Sequence, residues 1–127
     1  YKKWHMIGLE LGISVASIGL RGEATGVATC FNADVVATAK RALAPGEMLD
    51  GEGGATVFGK LQPAAKSMAD GRLPLGLAHH LKVVRPVAKD AMLTWDDVAV
   101  DETLTATRVR REMEAMFGGA AGTRLAG

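Results

Sequence analysis

The sequence is short of cysteine, and this shortage excludes two kinds of site. Its one cysteine, Cys30, rules out an intrachain disulfide and a zinc site built from several thiolates. The neighbours Thr29 and Phe31 carry no positive charge that would stabilise a thiolate, so the sequence predicts a buried, inert thiol. A cysteine-poor chain also favours a reducing compartment, and we expect a cytoplasmic protein.

Long apolar runs and an excess of charge are also missing. No stretch reaches the roughly 18 apolar residues that a membrane-spanning helix needs. The 15 Lys and Arg residues are balanced by 14 Asp and Glu, for a formal net charge of +1. The densest basic cluster, Arg108, Arg110 and Arg111, is followed by two glutamates and predicts a solvated helix face. We therefore expect neither a membrane nor a nucleic acid among the partners.

Aromatic residues make up only 5% of the chain, whereas glycine occurs 16 times. The core must therefore be built from aliphatic side chains, and the glycines favour a turn-rich fold over a helical bundle. In the opening block, the apolar run that includes Ile13, Val15 and Ile18 predicts a short buried element. Helix and strand both remain open for it, because short apolar runs fit either structure.

Two segments of the chain repeat each other. Residues 41–50 (RALAPGEMLD) and 85–94 (RPVAKDAMLT) share Arg, Ala, Met and Leu at equal spacing, and Leu43 matches Val87. Pro86 excludes a helix in the second copy, because proline lacks the amide hydrogen and clashes with the preceding turn. Each copy is therefore predicted to be an extended segment, a tight turn and a Met-Leu pair.

Residues 34–43 taken alone fit two structures. Their apolar spacing slightly favours a helix capped by Asp34, whereas their β-branched residues favour a strand. The first repeat copy overlaps this segment, so the strand is the preferred prediction. Further short strands are predicted at residues 56–58, 80–84 and 98–100.

An amphipathic helix is predicted over residues 103–118. Thr103 is its expected N-cap, and the Gly118-Gly119 pair is its expected end. Its apolar stripe, at spacings of three to five residues, comprises Leu104, Val109, Met113, Met116 and Phe117. Residues 119–127 are small and featureless and are expected to form a flexible tail.

The sequence around the two repeat copies resembles a known module. Residues 35–49 (VVATAKRALAPGEML) and 84–98 (VRPVAKDAMLTWDDV) are similar to a SAF domain, found in sialic acid synthase tails, antifreeze-like proteins and a flagellar P-ring chaperone. The SAF fold is the β-clip, whose pseudo-symmetric halves would account for the repeat. The resemblance implies a mainly β chain, with the SAF domain at residues 33–102, an α/β segment before it at 1–32 and the helix after it.

A second stretch narrows the resemblance. Residues 50–61 (DGEGGATVFGKL) and 73–79 (LPLGLAH) resemble NAD(P)-dependent oxidoreductases related to homoserine dehydrogenase, including enzymes like 1-deoxy-D-xylulose 5-phosphate reductoisomerase. In such proteins this sequence follows an N-terminal Rossmann domain and a central catalytic region, and residues 1–32 resemble the end of that region. A first residue other than methionine, Tyr1, also predicts a fragment of a longer protein.

The resemblance implies a parent protein that binds NAD(P) and forms a homo-oligomer. This sequence departs from the family in one respect, because it contains no Gly-x-Gly-x-x-Gly turn. Such a turn places a pyrophosphate at a helix N-terminus. We therefore expect no cofactor-binding residue in this chain, and its partners would be the Rossmann and catalytic domains of the parent.

Three residues are candidates for substrate binding. Glu52 lies among glycines on a turn, where its carboxylate would bind a hydroxyl or ammonium group. The commoner alternative for such a sequence is a solvated turn whose glycines serve only the backbone geometry. His79 would line a substrate cleft, with a structural histidine as the simpler alternative. Lys60 would hold an anion. His80 would point to the opposite face of a strand from His79, so no shared metal is expected.

The residues suggest no catalytic centre, because no nucleophile has a base at hand. One hypothesis is therefore a C-terminal SAF accessory domain of an NAD(P)-dependent oxidoreductase, which covers the substrate site or mediates oligomerisation and is not catalytic alone. The alternative is a free-standing SAF module that binds a sugar acid or another small anion. A third, weaker alternative is a self-associating domain whose contact is the helix at residues 103–118.

Overall fold

The computed structural model describes residues 3–118. The predicted flexible tail, residues 119–127, lies outside the described part of the chain. The chain divides into two compact units, with the boundary between Thr29 and Cys30. Within residues 3–118, no helix combines the length and the apolar character that crossing a bilayer requires.

The first unit contains α1 (Ile7–Ala16), continued by a π-helical turn at Ser17–Arg21. The opening apolar run is thus a helix, one of the two structures that its sequence left open. The expected burial is wrong, because Ile13 and Val15 are 67% and 61% exposed. Large apolar residues occupy every second position of α1, so they surround the helix and do not form one face that this small unit can cover.

The second unit contains two antiparallel sheets. One pairs β1 (Ala33–Ala39) with β3 (Val57–Pro63), and the other has the order β2 (Met48–Asp50), β4 (His79–Val83), β5 (Val98–Ala99). The strand predicted within residues 34–43 is confirmed as far as Ala39. Val36, Ala37, Thr38 and Ala39 are all fully buried, so β1 is covered on both faces, where β-branched and small side chains fit.

Two helices complete the second unit, α2 (Ala64–Ala69) and α3 (Thr105–Phe117), together with 3₁₀ turns at Leu75–Leu77 and Trp95–Asp97. Residues 3–118 therefore hold three α-helices beside five strands. This is a mixed α/β composition and not the mainly β composition that was expected. The helices other than the one expected at residues 103–118 are α1, where the sequence left helix and strand open, and α2.

The core of the second unit is aliphatic, as the low aromatic content predicts. Its largest fully buried side chains are leucines and valines, among them Leu49, Leu73 and Leu93. Leu49 and Leu93 occupy matching positions in the two repeat copies, and so do Leu43 and Val87. All four belong to one buried cluster, so both copies contribute the same positions to the same core.

The two repeat copies are joined by hydrogen bonds between matching residues. Leu43 and Val87 form an antiparallel bridge in which each backbone amide donates to the other carbonyl, at 2.8 and 3.0 Å. Three further pairs of backbone bonds follow the same offset. The amides of Gly46 and Asp90 donate to the carbonyls of Val83 and Ala39, respectively. Likewise, the amides of Val83 and Ala39 donate to Glu47 and Ala91, and the amides of Glu47 and Ala91 donate to Ala44 and Ala88. Each of these backbone bonds thus has a counterpart at the same offset.

Helix α3 begins one residue later than Thr103 would require, and its N-cap is Leu104, which makes no capping bond with its side chain. The Thr103 hydroxyl and amide instead donate to the carboxylate of Asp101. The predicted apolar stripe is also wrong in part, because Val109 and Met116 are 57% and 56% exposed. The helix instead turns a more polar face inward, which includes Arg110.

Candidate functional site

The Gly-rich loop, residues 50–56, is closed by the side chain of its first residue. The Asp50 carboxylate accepts hydrogen bonds from the amides of Ala55 (2.6 Å) and Thr56 (3.0 Å) and from the Thr56 hydroxyl. These bonds, that of the Thr56 hydroxyl foremost, lower the pKa of Asp50 to about 2. A Cβ at Gly54 would overlap this carboxylate, so the glycine is what lets the loop close around a charged acceptor.

His79 lies on the backbone of the Gly-rich loop. It is opposite Asp50 in the β2–β4 register, and its imidazole occupies the space that a Cβ on Gly51 would fill. Glu52 is the next residue of the loop. His79 and Glu52 are both exposed, and neither side chain has a hydrogen bond or an ion pair within residues 3–118. The structure thus brings two of the three candidate residues to one place on the surface.

Lys60 lies elsewhere. It belongs to β3 in the other sheet, opposite Val36, and its ammonium nitrogen is 5.6 Å from the centre of the Phe58 ring. The lysine that reaches the Gly-rich loop is Lys40, whose ammonium donates to the carbonyl of Gly54. Nothing in the sequence singled out Lys40, because its position depends on the pairing of β1 with β3.

His80 forms a bulge in β4. Met48 pairs with Lys82 but Asp50 pairs with His79, so β4 has one residue more than β2 over this interval. His80 takes up the extra residue with a positive φ of 55°. The strand alternation expected for the two histidines is therefore interrupted, and their ring centres lie 6.2 Å apart. Among the described residues, no group of three or more His, Cys, Asp or Glu side chains is placed to hold a metal ion.

A small cavity adjoins His79. Its volume is about 190 Å³, and its lining includes the start of α3 and the 3₁₀ turn before β5: His79, Leu81, Trp95, Leu104, Ala106 and Thr107. By the volume of liquid water, it has room for about six water molecules. Most of its walls are apolar, and Thr107 and His79 bring polar groups to it.

A larger cavity of about 520 Å³ lies between α2 and the end of α3, and its lining includes Phe31, Met68 and Phe117. None of the three candidate residues borders it. Because its walls carry few polar groups that converge on one point, its size alone gives it no chemistry.

Buried ion pairs explain which face of α3 turns inward. Arg110 is only 10% exposed, and its guanidinium donates to both oxygens of Asp34, at 3.2 and 2.6 Å. The Ser67 hydroxyl donates to the same carboxylate at 2.6 Å. Burial raises the pKa of Asp34, but the bonds from Arg110 and Ser67 outweigh burial and hold the pKa below its ordinary value. The solvated arginine face predicted from the sequence is therefore wrong at Arg110.

Arg111 fixes the same helix at a second point. Its guanidinium carbon lies 3.9 Å from the centre of the Trp95 ring, and one of its nitrogens is 2.8 Å from Glu102. A cation over an indole ring is an attractive arrangement. Since Trp95 and residues of α3 line the same small cavity, this contact also positions one wall of that cavity.

Cys30 is exposed, so the expectation of a buried thiol is wrong. It lies in the irregular connection before β1, where its sulfur accepts a hydrogen bond from the side-chain Nδ2 of Asn32 at 3.3 Å. An extended connection without strand partners offers no apolar pocket for a thiol.

The chain was also compared with known proteins. It matches no protein-family model and no curated protein.

Proposed function

We propose that the second unit is a β-clip domain of the SAF type. The reciprocal hydrogen bonds between the repeat copies support this proposal, because two halves related by a two-fold axis would exchange bonds in this way. The turns of the two copies support it as well. Gly46 and Asp90 hold matching positions, and both have positive φ, 93° and 65°. A non-glycine residue rarely takes this conformation, so its recurrence at matching positions favours a common ancestor of the two halves.

On this fold rests a proposal of function: the chain is the C-terminal accessory domain of an NAD(P)-dependent oxidoreductase related to homoserine dehydrogenase. The segments that resemble such enzymes coincide with the Gly-rich loop and with the start of β4. In this proposal the Rossmann domain of the parent binds NAD(P). The lack of a Gly-x-Gly-x-x-Gly turn in this sequence agrees with that division of labour.

The observation that carries the proposal is the position of His79 on the Gly-rich loop beside Glu52. Both side chains are exposed and unpaired within residues 3–118, and the loop beneath them is held by the Asp50 carboxylate. A carboxylate accepts hydrogen bonds from substrate hydroxyls, and an imidazole either donates or accepts one. A loop that is ordered before binding loses little conformational entropy when a ligand arrives. The domain would thus cover the substrate site and orient polar groups of the substrate.

Substitutions in the parent protein test this role. Glu52→Gln and His79→Gln should each raise KM for the substrate by about tenfold with little change in kcat, because each removes a binding contact and no reacting group. Glu112→Gln is the matched control, since Glu112 is an exposed glutamate of α3 without an ion pair. Unchanged KM values in both site variants would contradict the proposal.

Cofactor binding separates the proposal from an activity of this chain. NADPH fluorescence should not change when the 127-residue chain is added, because the pyrophosphate-binding turn is missing from its sequence. Tight binding would contradict the division of labour. The reading frame provides a second test: a Gly-x-Gly-x-x-Gly motif upstream in the same frame supports the accessory domain, and a frame that starts near Tyr1 supports a free-standing module for a small anion.

A further inference from the structure

Helix α3 starts without a cap, and its first amides are free. The N-cap residue Leu104 makes no capping bond with its side chain. The first amide of the helix that makes a hydrogen bond belongs to Arg108, and it donates to the Leu104 carbonyl at 3.0 Å. The amides of residues 105–107 precede it and, within residues 3–118, have neither a backbone nor a side-chain acceptor. Free amides at the start of a 13-residue helix attract anions, because the helix dipole and the N–H groups act together.

A second observation points to a ligand at the same place. Thr107 is only 5% exposed, yet its hydroxyl makes no hydrogen bond within residues 3–118. The hydroxyl is not among the fully buried unpaired atoms of residues 3–118, so it keeps accessible surface through which a ligand can reach it. Thr107 lines the small cavity next to His79, together with Leu104 and Ala106 from the start of α3. The cavity therefore holds an unpaired hydroxyl, the start of an uncapped helix and an exposed imidazole around one volume of about 190 Å³.

We infer that this cavity is a subsite for a short 2-hydroxycarboxylate. The carboxylate would accept hydrogen bonds from the free amides of α3 and from the Thr107 hydroxyl, and the 2-hydroxyl would meet His79. Leu81 and Trp95 form apolar walls that suit a short alkyl chain. The volume, about six water molecules, limits the acid to a few carbon atoms. The inference rests on the proposed function, because it assigns a substrate class to the site that His79 shares with the Gly-rich loop.

The charged side chains around the cavity do not by themselves favour an anion, because Arg111 is outnumbered by carboxylates. Arg111 stacks on Trp95, and its charge is shared with Glu102, 2.8 Å away, and Glu114, 3.3 Å away. Asp101 is occupied by the amide and hydroxyl of Thr103. The favourable field therefore comes mainly from the helix start, which is why the substitutions below alter that feature and not a surface cation.

The test uses the 127-residue chain and 2-hydroxybutyrate, followed by ¹H–¹⁵N NMR. The amide signals of Thr105, Ala106 and Thr107 should shift on titration, whereas neutral 1,2-butanediol should leave them in place. Thr107→Val should weaken binding about tenfold, since it removes one hydrogen bond to a charged group. Thr29→Val is the control, because Thr29 is exposed, unpaired within residues 3–118 and outside the proposed subsite.

Leu104→Asp keeps the test decisive if the valine variant fails to fold. An aspartate at the N-cap would bond to the free amides of α3, so it should raise the melting temperature and abolish binding together. A variant that is more stable and still binds 2-hydroxybutyrate would overturn the inference, as would silent helix amides in the wild-type chain.

Three further outcomes separate the parts of this inference from one another and from the proposed function. If 2-hydroxybutyrate shifts the signals of Glu52 and His79 but not those of α3, the subsite is wrong and the accessory role of the Gly-rich loop stands. If inorganic phosphate shifts the α3 amides while 2-hydroxybutyrate does not, the site binds anions but the assignment to a hydroxycarboxylate is overturned. Shifts at α3 with unchanged KM values for the Glu52 and His79 variants of the parent would leave an anion site at the start of α3 but refute both its contact with His79 and the accessory role.

Discussion

Arg110 connects α3 to β1 through a buried ion pair, and its replacement by methionine tests whether this pair holds the helix in place. The guanidinium makes two hydrogen bonds with Asp34, and its Nε donates to Glu114 at 2.7 Å. The side chains of Arg110 and Asp34 are only 10% and 6% exposed. Methionine keeps the apolar length of the arginine stem but leaves the Asp34 carboxylate buried without its cation.

The expected loss follows from that unpaired carboxylate. Removing one partner of a buried ion pair typically destabilises a protein by about 3–5 kcal/mol. Asp34 keeps the hydrogen bond from Ser67, and it can become neutral by taking up a proton. Both effects reduce the cost, so we expect Arg110→Met to lower the free energy of unfolding by about 3 kcal/mol.

Urea unfolding followed by tryptophan fluorescence measures this loss. A Trp4→Phe background leaves Trp95 as the reporter of the second unit. Arg108→Met on the same helix is the control, because Arg108 is exposed and unpaired within residues 3–118 and its loss should cost no more than about 0.5 kcal/mol. A loss below about 1 kcal/mol for Arg110→Met, or one equal to the control, would refute the assigned role.

The pH dependence checks the cause of the loss. In the wild type the pKa of Asp34 is lowered, so its contribution to stability is complete above the ordinary value of 3.8 and is lost as the pH falls through the lowered value. Without Arg110, burial should raise this pKa, and the folded variant then binds a proton more readily than the unfolded chain. The difference between wild type and variant should therefore be smaller at about pH 4 than at about pH 7. Equal differences would show that the charge of Asp34 is not the cause.

Three further predictions concern the Gly-rich loop and the turn before β5. Gly51→Ala should lower the melting temperature more than Gly53→Ala. Both residues have positive φ (72° and 78°), but only the methyl group added at Gly51 meets the ring of His79. Equal losses of melting temperature would show that backbone strain is the whole cause. Asp50→Asn should flatten the acid limb of the stability curve, because the wild-type contribution is complete above pH 3.8 and is lost as the pH falls through about 2; a variant with an unchanged acid limb would contradict this. Asp97→Ala should cost about 2 kcal/mol in urea unfolding, because it removes a capping box and an ion pair. A similar cost for Asp96→Ala, an exposed neighbour without a hydrogen bond or an ion pair in residues 3–118, would refute that assignment.

The extended backbone and the turns of the repeat were predictable because their determinants are local, although the second copy pairs only through isolated bridges at Val87, Met92 and Thr94 and forms no continuous strand. Pro86 excludes a helix by its own covalent structure. Gly46 and Asp90 are residue types that tolerate positive φ, and both adopt it in the turns. These features act over a few residues, so the sequence pattern contains nearly all the information needed to predict the extended segments and the turns. The strand at β1 was predicted only because residues 34–43 overlap the first copy, although β1 itself ends at Ala39, before that copy begins.

The orientation of α3 was not predictable for the opposite reason. Its apolar residues alone indicate a buried stripe that includes Val109 and Met116, but the inward face is set by Arg110 and Arg111. Their partners Asp34 and Trp95 lie on other elements, and Asp34 is 76 residues away in sequence from Arg110. An arginine followed by glutamates fits a solvated helix just as well until the tertiary partner is known. The same dependence on distant pairing hid Lys40 and Thr107.

The candidate site shows both kinds of determinant in one place. Glycines at residues 51 and 54 allow a tight loop, and this turn was predictable from the sequence. The position of His79 on that loop depends on the β2–β4 register and on the bulge at His80, neither of which a single strand pattern contains. Lys60 shows the limit, since its charge suggested an anion contact but its strand belongs to the other sheet.

The polar pairs that orient α3 also determine what the small cavity can bind. Arg110 holds the middle of the helix to Asp34, and Arg111 holds the next residue to Trp95, which is itself a wall of the cavity. These two contacts place the uncapped start of α3 beside His79. Apolar packing of the predicted stripe would instead have turned Val109 and Met116 inward and rotated Thr107 away from the core. The unusual inward arginine face is thus the physical reason why an unpaired hydroxyl, free amides and an imidazole share one small volume.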